Sequence, residues 1–204
     1  MDTRLKQVSF GMLWGILALS AAIFVAIVVS PLLYWISIDL FQLTKLTGLS
    51  KPILMQNYDV IVDYLLNPLR AELTMPHFQS SASGSQHFAE VKHLVAFNTH
   101  VLRISAVIIL LIWKKKLPYF LAAPVFRVLW SLPLVLGIVV AIAFEPLFIL
   151  FHQVFFRNDL WLFNPATDPI ITVLPQAFFM MMFIVVGLLY AIILLILQRY
   201  IKKF

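Results

Sequence analysis

A chain of 204 residues that is 62% hydrophobic and only 12% charged is not a soluble domain, since those run at about 45–50% apolar and about 25% charged. So small a particle cannot hide that excess in its interior, and the bilayer is therefore the solvent for most of it. The formal charge of +6 would serve nucleic acid only if the basic residues clustered on one face. They are instead divided between the two ends of the apolar runs, so no nucleic-acid partner is expected.

Taken in order, the first span follows Lys6, because residues 7 to 38 carry no charge and a spanning helix needs about 20 predominantly apolar residues. We place it at about 9–38. Ala18-Leu19-Ser20 has the small residues of a signal-peptide cleavage site, but the apolar run continues to Ile38, which makes the segment a retained anchor. Next comes a polar stretch, about 41–90, in which Lys51-Pro52 breaks the chain. Asn57-Tyr58-Asp59 then opens a run with Val60, Ile61, Tyr64 and Leu65 at helical spacing, with Asn57 as its cap. Asn67-Pro68 ends that helix, and Ser80 to Ser85 form a polar, flexible approach to His87.

The second span, about 94–113, is apolar except for His100 and Arg103 and stops at Lys114-Lys115-Lys116. A short basic connection with Pro118, Pro124 and Arg127 leads to the third, about 128–151, interrupted by Glu145-Pro146. A second polar segment, about 152–168, precedes the fourth span at about 170–198. The fold class is thus an all-α membrane protein: four transmembrane helices with a small mixed extracellular cap, forming one integral membrane domain over residues 1–204.

Four spans leave both termini on one side. Arg4, Lys6, Lys114, Lys115, Lys116, Arg127, Arg199, Lys202 and Lys203 fall there against Asp2 alone. The other side mixes five basic residues with seven acids, so the positive-inside rule makes the termini cytoplasmic. All five histidines, His77, His87, His93, His100 and His152, then lie outside or at the outer boundary. Imidazole exchanges protons near neutral pH, so the cluster is a candidate acid/base centre, although a single interfacial His serves as well to anchor a helix end. His77 is assigned that anchoring role. His93, His100 and Arg103 share one helical face and form the polar seam of the second span, with Glu145 a partner within reach of Arg103. The chain has no cysteine, which excludes disulfides, thiol catalysis and thiolate metal sites.

His87 and His152 have distinctive settings. His87, Glu90, Val91 and Leu94 fall on one helix face, where the carboxylate can orient the imidazole. His152 ends the third span just before Phe156, Asn158, Trp161, Asn164-Pro165 and Asp168, a mixture of apolar anchors and polar groups suited to an amphipathic lipid. The outer ends of these two neighbouring helices are placed to meet.

This ordered set resembles the lipoprotein intramolecular transacylases of Gram-positive bacteria, four-span membrane enzymes. The resemblance runs through Asn57-Tyr58, Tyr64-Leu65, Ser81 to Gly84, His87-Phe88-x-Glu90-Val91-Lys92, His152 to Phe156, Asn158, Trp161, Asn164-Pro165, Asp168, Pro175 and Phe178-Phe179. It departs at Glu90, where the family more often has Asp. The resemblance implies transfer of the sn-2 acyl chain of an S-diacylglyceryl cysteine to its own α-amine, giving the lyso form.

His87 and His152 are then the expected acid/base pair and Glu90 and Asp168 the orienting groups. Arg103, Tyr58, Asn158 and Asn164 are expected to polarise the carbonyl or hold substrate. Turn formation beside Pro165 and Pro169 accounts equally for Asn158, Asn164 and Asp168, and interfacial anchoring for Tyr58 and Trp161. No cofactor or metal is required, the partners are the lipoprotein N-terminus and membrane lipid, and the protein is expected to be a monomer. The alternative is a haem- or metal-binding four-helix membrane protein using His93, His100 and His152; a membrane adaptor is a third reading, supported only by the spans.

Overall fold

The computed structural model describes residues 3–114 and 123–201. The Lys115–Lys116 pair, Pro118 and the ends of the chain named above lie outside the described residues. Six helices follow in order: α1 (Thr3–Leu40), α2 (Leu43–Thr47), α3 (Lys51–Leu66), α4 (Ala82–Lys114), α5 (Ala123–Phe155) and α6 (Gln176–Ile201). A 3-10 turn at Pro169–Thr172 precedes α6, and no strand occurs among the described residues. Four of these helices are long and apolar enough to cross a membrane, over Val8–Leu40, Ala82–Ile112, Val128–Phe155 and Gln176–Arg199.

The chain divides into two compact units. One comprises α1 up to Ala26, Phe97–Ile142 and the chain from Phe183 onward. Its core gathers Trp14, Ala18, Ala22, Ile109, Leu129, Tyr190 and Leu194. Ala18 and Ala22 are fully buried one turn apart, a stripe of small side chains that lets a neighbouring helix approach closely. Gly11 and Gly15 extend it, since a Cβ at Gly11 would stand 2.1 Å from Val125 Cγ1. Around this stripe Met12, Ile16, Leu19, Leu132, Leu134, Leu188 and Ile196 are exposed, as helices solvated by lipid require.

The other unit comprises Ile27–Ala96 and Ala143–Met182. Tyr34, Ile38, Leu43, Leu54, Tyr58, Ile61, Phe88, Ile170, Val173 and Phe178 are in its core. Tyr34 and Tyr58 stack with ring centroids 4.2 Å apart, and Phe178 sets its edge against both at 5.5 Å. The Tyr34 hydroxyl donates to the Val173 carbonyl at 3.1 Å.

Two local features differ from the sequence expectation. Lys51-Pro52 does not break the chain but opens α3: Ser50 precedes the helix and Pro52 stands in its first turn, where proline's fixed φ and missing N–H cost nothing. Asn57 is therefore a fully buried mid-helix residue rather than a cap. Its amide donates to the Ile53 carbonyl at 2.7 Å and to His77 Nδ1 at 3.1 Å, while its carbonyl oxygen accepts the His77 N–H at 3.0 Å. Likewise, the serine-rich stretch is an approach only as far as Ser81; Ala82 onward is helix. In α5, Pro146 cannot donate to the turn before it, and Ala143 leaves helical geometry at φ −147°, ψ 43°.

Candidate active site

The site is assembled within the second unit from the beginning of α4, the end of α5 and the loop after it. Ser81 caps α4: its hydroxyl accepts from Gly84 N at 3.0 Å and its carbonyl from Ser85 N at 2.9 Å. Asp168 fastens this turn from a distance of 87 residues. Its Oδ1 accepts Ser81 N–H at 2.8 Å, and its Oδ2 accepts the hydroxyls of Ser81 at 2.7 Å and Thr167 at 2.8 Å. The carboxylate lies so close over the helix that a Cβ at Gly84 would stand 2.1 Å from Oδ1. Burial acts to raise the Asp168 carboxyl, but the hydrogen bonds from Ser81 and Thr167 outweigh it and hold the pKa below its ordinary 3.8. A second tie holds α4 one turn beyond His87, where Lys92 Nζ donates to the carbonyl of Asn67 at 2.9 Å and to that of Arg70, and lies 4.3 Å above the Tyr64 ring.

So anchored, α4 presents His87, and the last turn of α5 presents His152. Both are 8% exposed, and their ring centroids are 5.8 Å apart. His152 Nδ1 lies 2.7 Å from the carbonyl of Phe148, one turn earlier. A carbonyl oxygen only accepts, so Nδ1 carries the hydrogen, and in the neutral ring Nε2 keeps its lone pair. The Trp161 ring lies 4.6 Å from His152 at 31°, and Phe148 lies 4.3 Å from it. Phe156 and Phe163 turn their edges or faces to His87 at 4.7 and 5.5 Å.

Glu90 completes the constellation. Its Oε1 accepts from Asn158 Nδ2 at 2.9 Å. Asn158 is held in turn, its side-chain oxygen by Leu160 N–H at 3.1 Å and its carbonyl by the Trp161 indole N–H at 2.9 Å. Glu90 Oε2 stands 3.9 Å from His87 Nδ1, too far for a hydrogen bond, and both atoms are buried without a partner. The backbone turns into this loop through Arg157, whose φ of 51° is in the left-handed region.

The structure thus brings His87, His152, Glu90 and Asn158 together. Asp168 stands behind them, fixing the start of α4 rather than touching an imidazole. Asn164 forms the expected turn: its side-chain oxygen accepts Ala166 N–H at 3.0 Å and its carbonyl accepts Asp168 N–H at 2.7 Å. Tyr58 is a core residue, with burial pushing its phenol well above the ordinary tyrosine value. Arg103 is exposed and belongs to the other unit. His93 and His100 are exposed on α4, and no group of three or more His, Cys, Asp or Glu among the described residues is arranged to hold a metal ion. Ser81, Lys92 and the Phe148 carbonyl are supporting groups that the sequence reading did not single out for a role. The Ser-x-x-Gly spacing of Ser81 to Gly84 is the one available signal.

Fold and site together define a helical, multi-pass membrane protein with a buried pair of imidazoles set among aromatic rings. The family model for the lipoprotein intramolecular transacylase Lit matches residues 8–179, and the chain belongs to that family. The membrane-integral lipoprotein intramolecular transacylase Lit of Bacillus cereus has the same fold, with a TM-score of 0.81 at 27% identity over 97% of this chain and 96% of that one. Two structures of that protein with a histidine mutated, to arginine and to alanine, each match at a TM-score of 0.75 and 28% identity. They cover 97% of this chain and 92% and 94% of theirs. No curated protein matches the chain.

Proposed function

We propose that this protein is a lipoprotein intramolecular transacylase that moves the sn-2 acyl chain of an S-diacylglyceryl cysteine to the α-amine of the same cysteine. The observation that carries the reading is the pair of buried imidazoles 5.8 Å apart, one of them with its free nitrogen defined by the Phe148 carbonyl. The reaction makes two proton demands. An α-amine, with a reference pKa of about 7.7–8.0, must lose a proton before attacking the ester carbonyl, and the departing glycerol oxygen must gain one. His87 and His152, their ring centroids 5.8 Å apart, divide these tasks. Nucleophile and ester belong to one molecule, so holding them in register supplies much of the acceleration, effective molarities reaching about 10⁵–10⁸ M in well-oriented cases. No acyl-enzyme, cofactor or metal is needed.

The aromatic walls exclude water, which protects the ester from hydrolysis in competition with transfer. Glu90 and Asn158 hold the polar end of the pocket, and Asp168 positions His87 by way of α4. The excess of Lys and Arg on the side of the termini supports cytoplasmic termini and paired histidines at the outer face of the membrane, where a processed lipoprotein exposes its amine. The protein acts as a monomer in contact with membrane lipid.

The test is expression in a cell whose lipoproteins are all diacylated, followed by mass spectrometry of the N-terminal lipopeptides. The wild-type chain yields the N-acyl, S-monoacylglyceryl form, while His87→Ala and His152→Ala insert normally and yield none. Full conversion by either variant refutes the paired-imidazole mechanism.

A further inference from the structure

Beside the two imidazoles lie two buried polar atoms that no group of the protein satisfies, His87 Nδ1 and Glu90 Oε2. Unpaired buried polar groups are costly and rare, and they call for a partner that arrives from outside. The geometry specifies that partner. Asn158 occupies Oε1 and thereby fixes the plane of the carboxylate, so Oε2 is not free to swing to another group. The two atoms are 3.9 Å apart, and one donor atom at ordinary hydrogen-bond distances of about 2.7–3.2 Å from each fits above that base. An ionised carboxylate only accepts, and a neutral imidazole nitrogen with a free lone pair also accepts. In the His87 tautomer with its hydrogen on Nε2, both atoms accept, so a visitor that satisfies them presents two N–H or O–H donors from one atom, and a cationic one also balances the buried carboxylate charge.

We infer that Glu90 Oε2 and His87 Nδ1 form a dock for the substrate's α-ammonium group. The inference rests on the function proposed above and adds to it the site at which the nucleophile is received. An ammonium has three N–H donors: one goes to Glu90, and another points at His87 Nδ1. Transfer of that second hydrogen as a proton converts the ammonium to a neutral amine and His87 to imidazolium, with charge conserved. The neutral amine turns its lone pair to the ester carbonyl and attacks; His152 Nε2, whose lone pair the Phe148 contact leaves free, takes the second proton from that nitrogen and passes it to the departing glycerol oxygen, so the amide keeps one N–H and His87 the first proton. After transfer the nitrogen is an amide with a single N–H and no charge, so the dock that holds the substrate releases the product. Glu90 thereby discriminates between the two.

The experiment uses full-length protein in detergent and a lipopeptide whose glycerol carries ether-linked chains, so that binding occurs without transfer. Its α-amine is left free or is acetylated, and the dissociation constants are compared. For the wild-type protein the free amine should bind about 10- to 100-fold tighter, the range of a charge-assisted hydrogen bond. In Glu90→Gln the two should bind alike. Equal binding by wild type, or a preference retained in Glu90→Gln, overturns the dock. A measurement free of any folding effect of the substitution is carbodiimide coupling in the wild-type protein. An amide between the lipopeptide amine and Glu90, located by mass spectrometry, supports the dock; coupling only to other carboxylates, or none, overturns it. Wild-type conversion of the ester-linked diacyl lipopeptide is measured alongside. If conversion fails, the proposed function is at fault; if it succeeds without preference for the free amine, only the dock is.

Discussion

Glycine at position 84 should be indispensable only while aspartate stands at 168. A Cβ at residue 84 falls 2.1 Å from Asp168 Oδ1, and real Cβ contacts begin near 3.0 Å. Gly84→Ala therefore drives the carboxylate back by about 0.9 Å, which takes Oδ1 beyond hydrogen-bond reach of Ser81 N, now at 2.8 Å. One hydrogen bond to a charged acceptor is worth about 1.5–3 kcal/mol, and against it alanine gains about 1 kcal/mol over glycine in a helix. The net loss is about 0.5–2 kcal/mol.

Once Asp168→Ala has removed the obstacle, Gly84→Ala should be neutral or stabilising by up to about 1 kcal/mol. The coupling between the two sites, about 1.5–3 kcal/mol, is read from a double-mutant cycle of equilibrium unfolding in mixed micelles. Additivity within about 0.5 kcal/mol would refute the close approach of Asp168 to the helix. The same tie has a pH signature. The folded carboxyl titrates below 3.8, so the folded state holds this proton less tightly than the unfolded chain. The contribution is whole above that ordinary value and vanishes as the pH falls through the depressed one. The stability difference between wild type and Asp168→Asn should accordingly narrow on acidification below 3.8; a difference that widens contradicts the assignment.

Other substitutions probe separate parts of the site. Trp161→Ala removes the ring beside His152 and the indole hydrogen bond to the Asn158 carbonyl. It should lower the rate of acyl transfer more than the affinity for the ether lipopeptide, whereas Trp161→Phe keeps the ring and most of the rate. Asn57→Leu leaves the His77 N–H without its acceptor and should destabilise by about 1–3 kcal/mol in the unfolding titration; stability unchanged would mean that the His77 loop is not held there. Arg157→Gly relieves a left-handed backbone and should raise stability by about 1 kcal/mol, with transfer activity showing whether the guanidinium has a role of its own.

The features legible in the sequence are those whose cause is local. Long apolar runs, charge-free in the first and fourth spans and broken only by Arg103 in the second and Glu145 in the third, announce four membrane-crossing helices, and His87 with Glu90 at a spacing of three announces a shared helix face. The remainder depends on partners remote in sequence. Ser-Ala-Ser-Gly-Ser has the composition of a flexible linker, and only Asp168, 87 positions away, converts its first residue into a cap. Pro52 carries one signal for two opposite outcomes, a break or a first turn. Its resolution depends on α3 burying Leu54, Asn57, Tyr58 and Ile61 on one face. Tyr58 reads as an amphipathic residue at an interface until Tyr34 is found stacked on it. Asn158 reads equally as a turn former and a site residue, and it serves as both, since its side-chain oxygen shapes the loop while its nitrogen holds Glu90.

The group that sets the hydrogen of His152 belongs to the main chain. In many imidazole-based sites that office is held by a side-chain carboxylate, which a mutational scan finds at once. Here the acceptor is the Phe148 carbonyl, and every amino acid but for a change of helix geometry supplies the same oxygen. A side-chain scan around the His87–His152 pair would therefore pass over this contact, however important it is. Chemical synthesis can reach it: replacing the 148–149 amide with an ester weakens that carbonyl as an acceptor while leaving every side chain in place.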